Sequence, residues 1–263
     1  MDSTLYDQMF RVEQRHWWFT GRLVILAAMV ERFAPRVGRR PLRIIEPGCG
    51  TGASLLYFRD RGYAVEGFDI SETAVSYCTR RGLRVVQASF EYPPAFEQGG
   101  YDVVLLPDVI EHMADEAHCA AFAARLLCPG GTLIVTAPAD PGLWSRHDEV
   151  HHHRRRYRKP DLMRVLEAAG LRLRFCSHFN TLLYPLAWID RKVLARLRRR
   201  AGPATHADAT LKIPPAPINA LLHALFAAER WLLGRRELPF GLSLIAVAYK
   251  PDPEKESNRP PSK

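Results

Sequence analysis

Apolar residues recur at helical spacing over residues 5 to 34 and stop at Pro35; beyond it, short apolar runs alternate with helical patterns. Leu42 to Glu46 reads as a strand, Gly52 to Arg61 as a helix, Ala64 to Asp69 as a strand and Glu72 to Arg81 as a helix. Leu83 to Ala88, Tyr101 to Leu106 and Gly131 to Ala137 are the next strands, with a helix at about Asp115 to Leu127. A helix over Asp161 to Ala169 has Pro160 before it and Gly170 after it, the usual boundary chemistry, and leads into a strand at Leu171 to His178. The last strand, Leu242 to Tyr249, follows only after a long helical, proline-punctuated stretch. Such alternation predicts an α/β fold, a mostly parallel sheet with helices on both faces. It divides the chain into an N-terminal helical lid (1–36), a core (37–179 and 241–250), a helical cap inserted at 180–240 and a polar, proline-rich tail at 251–263 expected to be disordered.

The strand ends carry the chemistry. EPGCGTG places Gly48, Gly50 and Gly52 at every second position where the first strand gives way to a helix. Glycine costs entropy and packs nothing, so the loop needs positive φ or a backbone that a ligand can approach closely. The spacing is GxGxG, not the GxGxxG of dinucleotide binders, and Glu46 precedes it. An acid there suits an ammonium or sulfonium group better than a pyrophosphate. Ligands of open α/β sheets bind at the carboxyl ends of the strands. Asp69, the segment Ala88 to Phe90 and the segment Asp108 to His112 occupy the next such ends.

Composition narrows the class without naming a partner. A chain of 263 residues with 47% hydrophobic and 25% charged content can bury one sizeable α/β core. The formal charge of +9 is concentrated in local runs, chiefly Arg154 to Lys159 and Arg191 to Arg200, which suit an anionic partner or a solvated face. No separate RNA- or DNA-binding module is visible, so nucleic acid is not the expected partner. The five cysteines are widely spaced and form no CxxC pair, which argues against a disulfide framework or a zinc site and for a reducing cytoplasm. The start, MDSTLYDQMF, lacks the order of a secretory signal, and Leu23 to Val30 is too short to span a bilayer, which takes roughly 20 residues.

In combination these segments resemble the class I S-adenosylmethionine-dependent methyltransferases. EPGCGTG is similar to their first motif, GFDIS to their acidic second-strand end, YDVVLLPDVIEHMAD to their fourth-strand motif and LLCPGGTLIVTAP to the turn into their fifth strand. HWWFTGR, LWSRHDEVHHHRRRY and PFGLSLIAVAYK are similar to one bacterial subgroup. The resemblance implies a Rossmann-like sheet of seven strands with the last antiparallel, and S-adenosylmethionine as cofactor. It implies that Gly48, Cys49, Gly50 and Gly52 lie against the cofactor, with Glu46 near its ammonium group and Asp69 on both ribose hydroxyls. Ile70 would flank the adenine, and Ser89 or the Phe90 amide would stand where the family often has an aspartate. Asp108 is either a further cofactor contact or the N-cap of the next helix.

His112, His147 and His153 are candidates for taking a proton from an acceptor hydroxyl. For His153 the competing reading is a polar network with Asp148 and Arg156 that fixes the loop. Three adjacent histidines, His151 to His153, point in different directions in any regular element, so no metal site is expected from them. The expected reaction is in-line methyl transfer to a small or lipid-linked acceptor, with oxygen favoured. RNA or other N-methylation, or a non-catalytic cofactor-binding role, are the alternatives. HWWF is expected to serve as a lid element. The cap, with Tyr184, Trp188, Phe226 and Trp231 among arginines, offers core packing, a face for membrane lipid or a homodimer contact.

Overall fold

The computed structural model describes residues 3–93, 96–189 and 212–254. Its centre is a seven-stranded sheet: β1 (Arg43–Pro47), β2 (Ala64–Asp69), β3 (Val85–Gln87), β4 (Tyr101–Pro107), β5 (Leu127–Pro138), β6 (Arg172–Phe179) and β7 (Ser243–Tyr249). Their order is β3-β2-β1-β4-β5-β7-β6. Pairings from β3 to β5 are parallel, whereas β7 runs antiparallel to both neighbours, with Ile134 opposite Val247 and Cys176 opposite Ala246. The strand order therefore reverses between β1 and β4, the position at which open sheets of this kind bind ligands.

The helices are α1 (Ser3–Val12), α2 (Trp17–Phe33), α3 (Ala53–Arg59), α4 (Glu72–Arg80), α5 (Glu116–Leu126), α6 (Arg146–Val150), α7 (Lys159–Ala168), α8 (Tyr184–Ile189) and α9 (Ala216–Ala228). Strand periodicity sorts the core into two layers. Val104, Leu106, Leu133 and Val135 pack with α5 and α7, whereas Val103, Leu105 and Ile134 pack with α2, Phe58 and Phe226. Central strands buried on both faces explain why β4 reads as an apolar run from Val103 to Pro107.

The expected single N-terminal helix is two. The chain breaks between Val12 and Trp17, where the His16 ring caps α2 by accepting from Trp18 N–H at 3.2 Å. An aromatic side chain is an uncommon cap, which is why the apolar periodicity gave no sign of the break. Helix α2 then packs against α9: Asn219 accepts from Trp17 N–H at 3.0 Å, and Phe226 lies edge-on to Trp17. Gly21 makes the approach possible, since a Cβ there would stand 2.6 Å from Phe226 Cδ1. Part of the expected cap (190–211), with its arginine run, and most of the expected tail (255–263) lie outside the described residues. No helix among the described residues is long and apolar enough to cross a membrane.

Candidate active site at the strand ends

Past β1 the chain turns through Gly48, Gly50 and Gly52 with φ of 72°, 54° and 81°, a region that disfavours any residue with a Cβ. Two of them are also packed from behind: a Cβ on Gly48 would meet Val109 at 3.1 Å, and one on Gly52 would meet Leu83 at 2.6 Å. Gly50 differs, because nothing lies within 4 Å of its missing Cβ. The loop thus has a closed back and an open front. Cys49 turns into the back, where its hydrogen bond with Cys78 and its burial push the thiol pKa well up. It is not a thiolate nucleophile.

Three buried acids surround this loop. Glu46, on β1, accepts from the Ser54 hydroxyl, and burial, reinforced by the nearby Asp69 and Glu13 charges, pushes its pKa up to about 8. Asp69 receives the Gly50 N–H on Oδ2 at 2.8 Å and the Ser71 N–H on Oδ1 at 2.9 Å, yet burial still raises its pKa. Glu13, at the end of α1, accepts from Thr51 Oγ1 at 2.6 Å and pairs with Arg81 at 2.7 Å, and its pKa is likewise raised by burial. Crowded carboxylates of this kind favour a ligand that brings a positive charge. Ile70, directly after Asp69, is 66% exposed and offers an apolar face for a flat ring. An open glycine loop, a two-oxygen acceptor, an exposed apolar side chain and buried acids together fit a nucleoside carrying a cationic group.

The first two helices close over this end of the sheet. Tyr6 donates its hydroxyl to Asp69 Oδ1 at 3.3 Å, Phe10 stacks on Tyr77 at 4.0 Å, and Tyr77 donates to Asp7 at 2.5 Å. Arg22, from the HWWFTGR segment, lies over the Trp18 ring at 4.5 Å and pairs with Asp108. Asp108 itself sits at φ 56° and accepts from Thr136 Oγ1 at 3.0 Å. It caps no helix, since the short turn Ile110–His112 begins after Val109 and α5 is capped by Asp115. After β3, the Ser89 hydroxyl accepts from Tyr92 N–H at 3.0 Å. The Phe90 ring is buried against Phe68 and Phe122, and its carbonyl meets His118 Nε2 at 3.0 Å.

At the ends of β4 and β5 the histidine-rich loop folds back on the sheet. Arg154 N–H donates to the Glu111 carbonyl at 2.9 Å, Tyr157 N–H to the Pro138 carbonyl at 2.9 Å and the Tyr157 hydroxyl to Glu116 at 2.7 Å. Asp148 is the hub. Its Oδ2 accepts from the Ser145 N–H and hydroxyl, and its Oδ1 lies 2.9 Å from His153 Nδ1 and 2.8 Å from Arg156 Nε. Burial would raise its pKa, but the His153 hydrogen bond and the Arg156 charge outweigh that and hold the carboxyl well below its usual range. His112 packs edge-on to His153 at 4.9 Å, and burial lowers its pKa to about 4. His147 lies 4.3 Å from His151 and 6.1 Å from His153 between ring centres. The structure therefore brings His112, His147 and His153 into one group, and Val109 links that group to Gly48 of the glycine loop.

Tyr6, Glu13, Arg22, Thr51 and Glu111 all border this region and were not singled out from the sequence. Arg22, Thr51 and Glu111 lie inside the segments HWWFTGR, EPGCGTG and YDVVLLPDVIEHMAD, whereas Tyr6 and Glu13 carried no signal.

Comparison with known proteins agrees with the geometry. A family model described as a methyltransferase domain matches residues 18–174. A ubiquinone biosynthesis O-methyltransferase of Caulobacter sp. is 36% identical over 107 residues, which are 37% of this chain and 42% of that protein, so the match spans less than half of the relative. A protein of Mycolicibacterium smegmatis named a probable S-adenosylmethionine-dependent methyltransferase is 27% identical over 252 residues, 90% of this chain and 91% of its own. Among solved structures, a SAM-dependent methyltransferase from Archaeoglobus fulgidus superposes with a TM-score of 0.59 at 17% identity, covering 94% of this chain and 99% of that one.

Proposed function

This chain belongs to the methyltransferase-domain family and is an S-adenosylmethionine-dependent methyltransferase, and from that premise we propose that it methylates an oxygen of a small or lipid-linked acceptor. The observation that carries the oxygen assignment is the convergence of His112, His147 and His153 after the fourth strand, where the His112 backbone N–H donates to the carbonyl of Val109, the residue packed on Gly48. A hydroxyl must lose its proton as it attacks, whereas a neutral amine needs less help. His112 is neutral at pH 7 because burial has lowered its pKa to about 4, and Asp148 fixes the ring of His153. The Caulobacter relative is named an O-methyltransferase, which supports the same assignment.

In this reading Glu46 faces the ammonium group, Asp69 the ribose hydroxyls, the loop of Gly48, Cys49, Gly50 and Gly52 the methionyl part, and Ile70 the adenine. Ser89 and Phe90 border the adenine end. Asp108 acts through Arg22, which ties the lid helices to the fourth strand end. S-adenosylmethionine supplies an activated methyl, so the protein has to align the acceptor, exclude water and receive a proton. The hydroxyl oxygen bonds to the methyl carbon, the carbon–sulfur pair stays on sulfur, and S-adenosylhomocysteine leaves. Helix α9 exposes Ile218, Leu221 and Leu225, with Trp231 and Leu232 just beyond, which suits an acceptor carried on a lipid.

The test is incubation with methyl-labelled S-adenosylmethionine and a panel of phenols, alcohols, amines and lipid-linked hydroxyl compounds, with products located by mass spectrometry. Label on oxygen is expected. Label confined to nitrogen or carbon would overturn the assignment.

A further inference from the structure

Glu111 is fully buried, yet neither of its carboxylate oxygens has a hydrogen-bond partner among the described residues. A buried carboxylate without partners is costly, and burial, with the Asp108 charge, accordingly raises the Glu111 pKa well above the ordinary carboxylate range. What faces it is imidazole. His153 Nε2 stands 3.9 Å from Glu111 Oε1, and one ligand atom each from Glu111, His112 and His153 lie within 4.8 Å of one another. A nitrogen–oxygen separation of 3.9 Å is too long for a shared proton.

The tautomers of both rings are set from outside the group. His153 Nδ1 lies 2.9 Å from Asp148 Oδ1, and His112 Nδ1 lies 3.3 Å from the His152 carbonyl oxygen. Both partners are acceptors, so in each ring Nδ1 carries the hydrogen and Nε2 presents a lone pair. Two nitrogen lone pairs and the Glu111 carboxyl group therefore converge on one point. Imidazoles that ligate a metal are held in just this way, by a carboxylate or carbonyl on the far nitrogen.

We propose that Glu111, His112 and His153 bind a divalent first-row transition ion, through one carboxylate oxygen and two Nε2 atoms. Two imidazoles with one carboxylate suit Zn²⁺ and its neighbours and leave a coordination position open. Tetrahedral ligation at about 2.05 Å places ligand atoms about 3.3 Å apart.

The run His151 to His153 is not itself the ligand set. Only His153 takes part, and it meets Glu111 and His112 because Arg154 is hydrogen-bonded to the Glu111 carbonyl. Asp108 is excluded, being held by Arg22 and Thr136.

The catalytic use of the ion rests on the reading of this group as the acceptor side of the site. An acceptor oxygen in the open position would give up its proton more readily, and that proton would pass to His147 or His151, whose rings stand 6.1 Å and 5.9 Å from His153.

The experiment is a Co²⁺ titration of the chelator-treated full chain, followed by visible absorption and reversed with Zn²⁺. A saturable one-to-one spectrum that Zn²⁺ displaces is expected, weakened at least tenfold in Glu111→Gln and in His153→Gln. The neighbouring His152→Asn, which tolerates the positive φ at that position, should retain it. Circular dichroism of each metal-free variant checks the fold, and should one variant not fold, the other carries the test. No spectrum and no Zn²⁺ binding in the parent chain, or binding that survives in both folded variants, would overturn the proposal. Metal binding without oxygen methylation would leave the site standing and sink the functional reading; oxygen methylation by a chain that binds no metal would do the reverse.

Discussion

The hydroxyl of Tyr6 and the carboxylate of Asp69 meet at 3.3 Å across 63 residues of sequence. The oxygen that Tyr6 occupies, Oδ1, is one of the two that a ribose diol would need, while Oδ2 is held by the Gly50 N–H. If Asp69 receives the ribose as proposed, helix α1 competes with the cofactor for it, and cofactor entry displaces the Tyr6 hydroxyl. Tyr6→Phe is expected to tighten S-adenosylmethionine binding by about 0.5–1.5 kcal/mol, the net worth of one hydrogen bond. Isothermal calorimetry of the two proteins measures it. Weaker binding by the variant would mean that the hydroxyl contacts the cofactor instead.

Glu46 gives the binding reaction a pH signature. Its folded-state pKa of about 8 lies above the ordinary carboxylate range, so the folded chain holds a proton there that the unfolded chain has lost at neutral pH. The contribution of Glu46 to stability is thus complete below the ordinary carboxylate pKa and falls as pH rises toward 8. A cationic ligand beside the carboxyl reverses the shift and expels the proton. Calorimetry at pH ~7 in buffers of different ionisation enthalpy should report release of up to about one proton per cofactor bound. Heat that does not depend on the buffer would show that Glu46 does not face the cation.

Asp148 holds the histidine loop through the Arg156 guanidinium and the His153 ring, and its carboxylate is fully buried. Asp148→Asn removes the charge that compensates a buried Arg156, and breaking a buried pair in this way costs about 3–5 kcal/mol. Urea denaturation should show a loss of that size. A loss below about 1 kcal/mol, the value of an exposed pair, would mean that the loop is held by its backbone bonds alone.

What the sequence disclosed and what it withheld follow from the range of the interactions concerned. Ala64 to Asp69 is legible as a strand ending in an acid because both features are local, and the glycine loop is legible because Glu46 precedes it and Asp69 stands at the next strand end. The break before Trp17 is not legible, since apolar spacing continues through it and the cap is an imidazole. The proximity of Glu111 and His153 depends on residues 145–157 returning to the end of β4, and that of Tyr6 and Asp69 on α1 crossing the end of β2. No periodicity encodes either contact. Adjacency along the chain likewise gives no sign that His153 lies near Glu111 and His112.

The central claim is that this strand end binds S-adenosylmethionine through Asp69, and the most direct measurement is calorimetric titration of the parent chain and of Asp69→Ala with that cofactor, with NAD as control. The account predicts one-to-one binding of S-adenosylmethionine by the parent, none of NAD, and a loss of about 1.5–3 kcal/mol in the variant, the range for hydrogen bonds to a charged group. Equal affinity of the two proteins, or binding of NAD in place of S-adenosylmethionine, would contradict it.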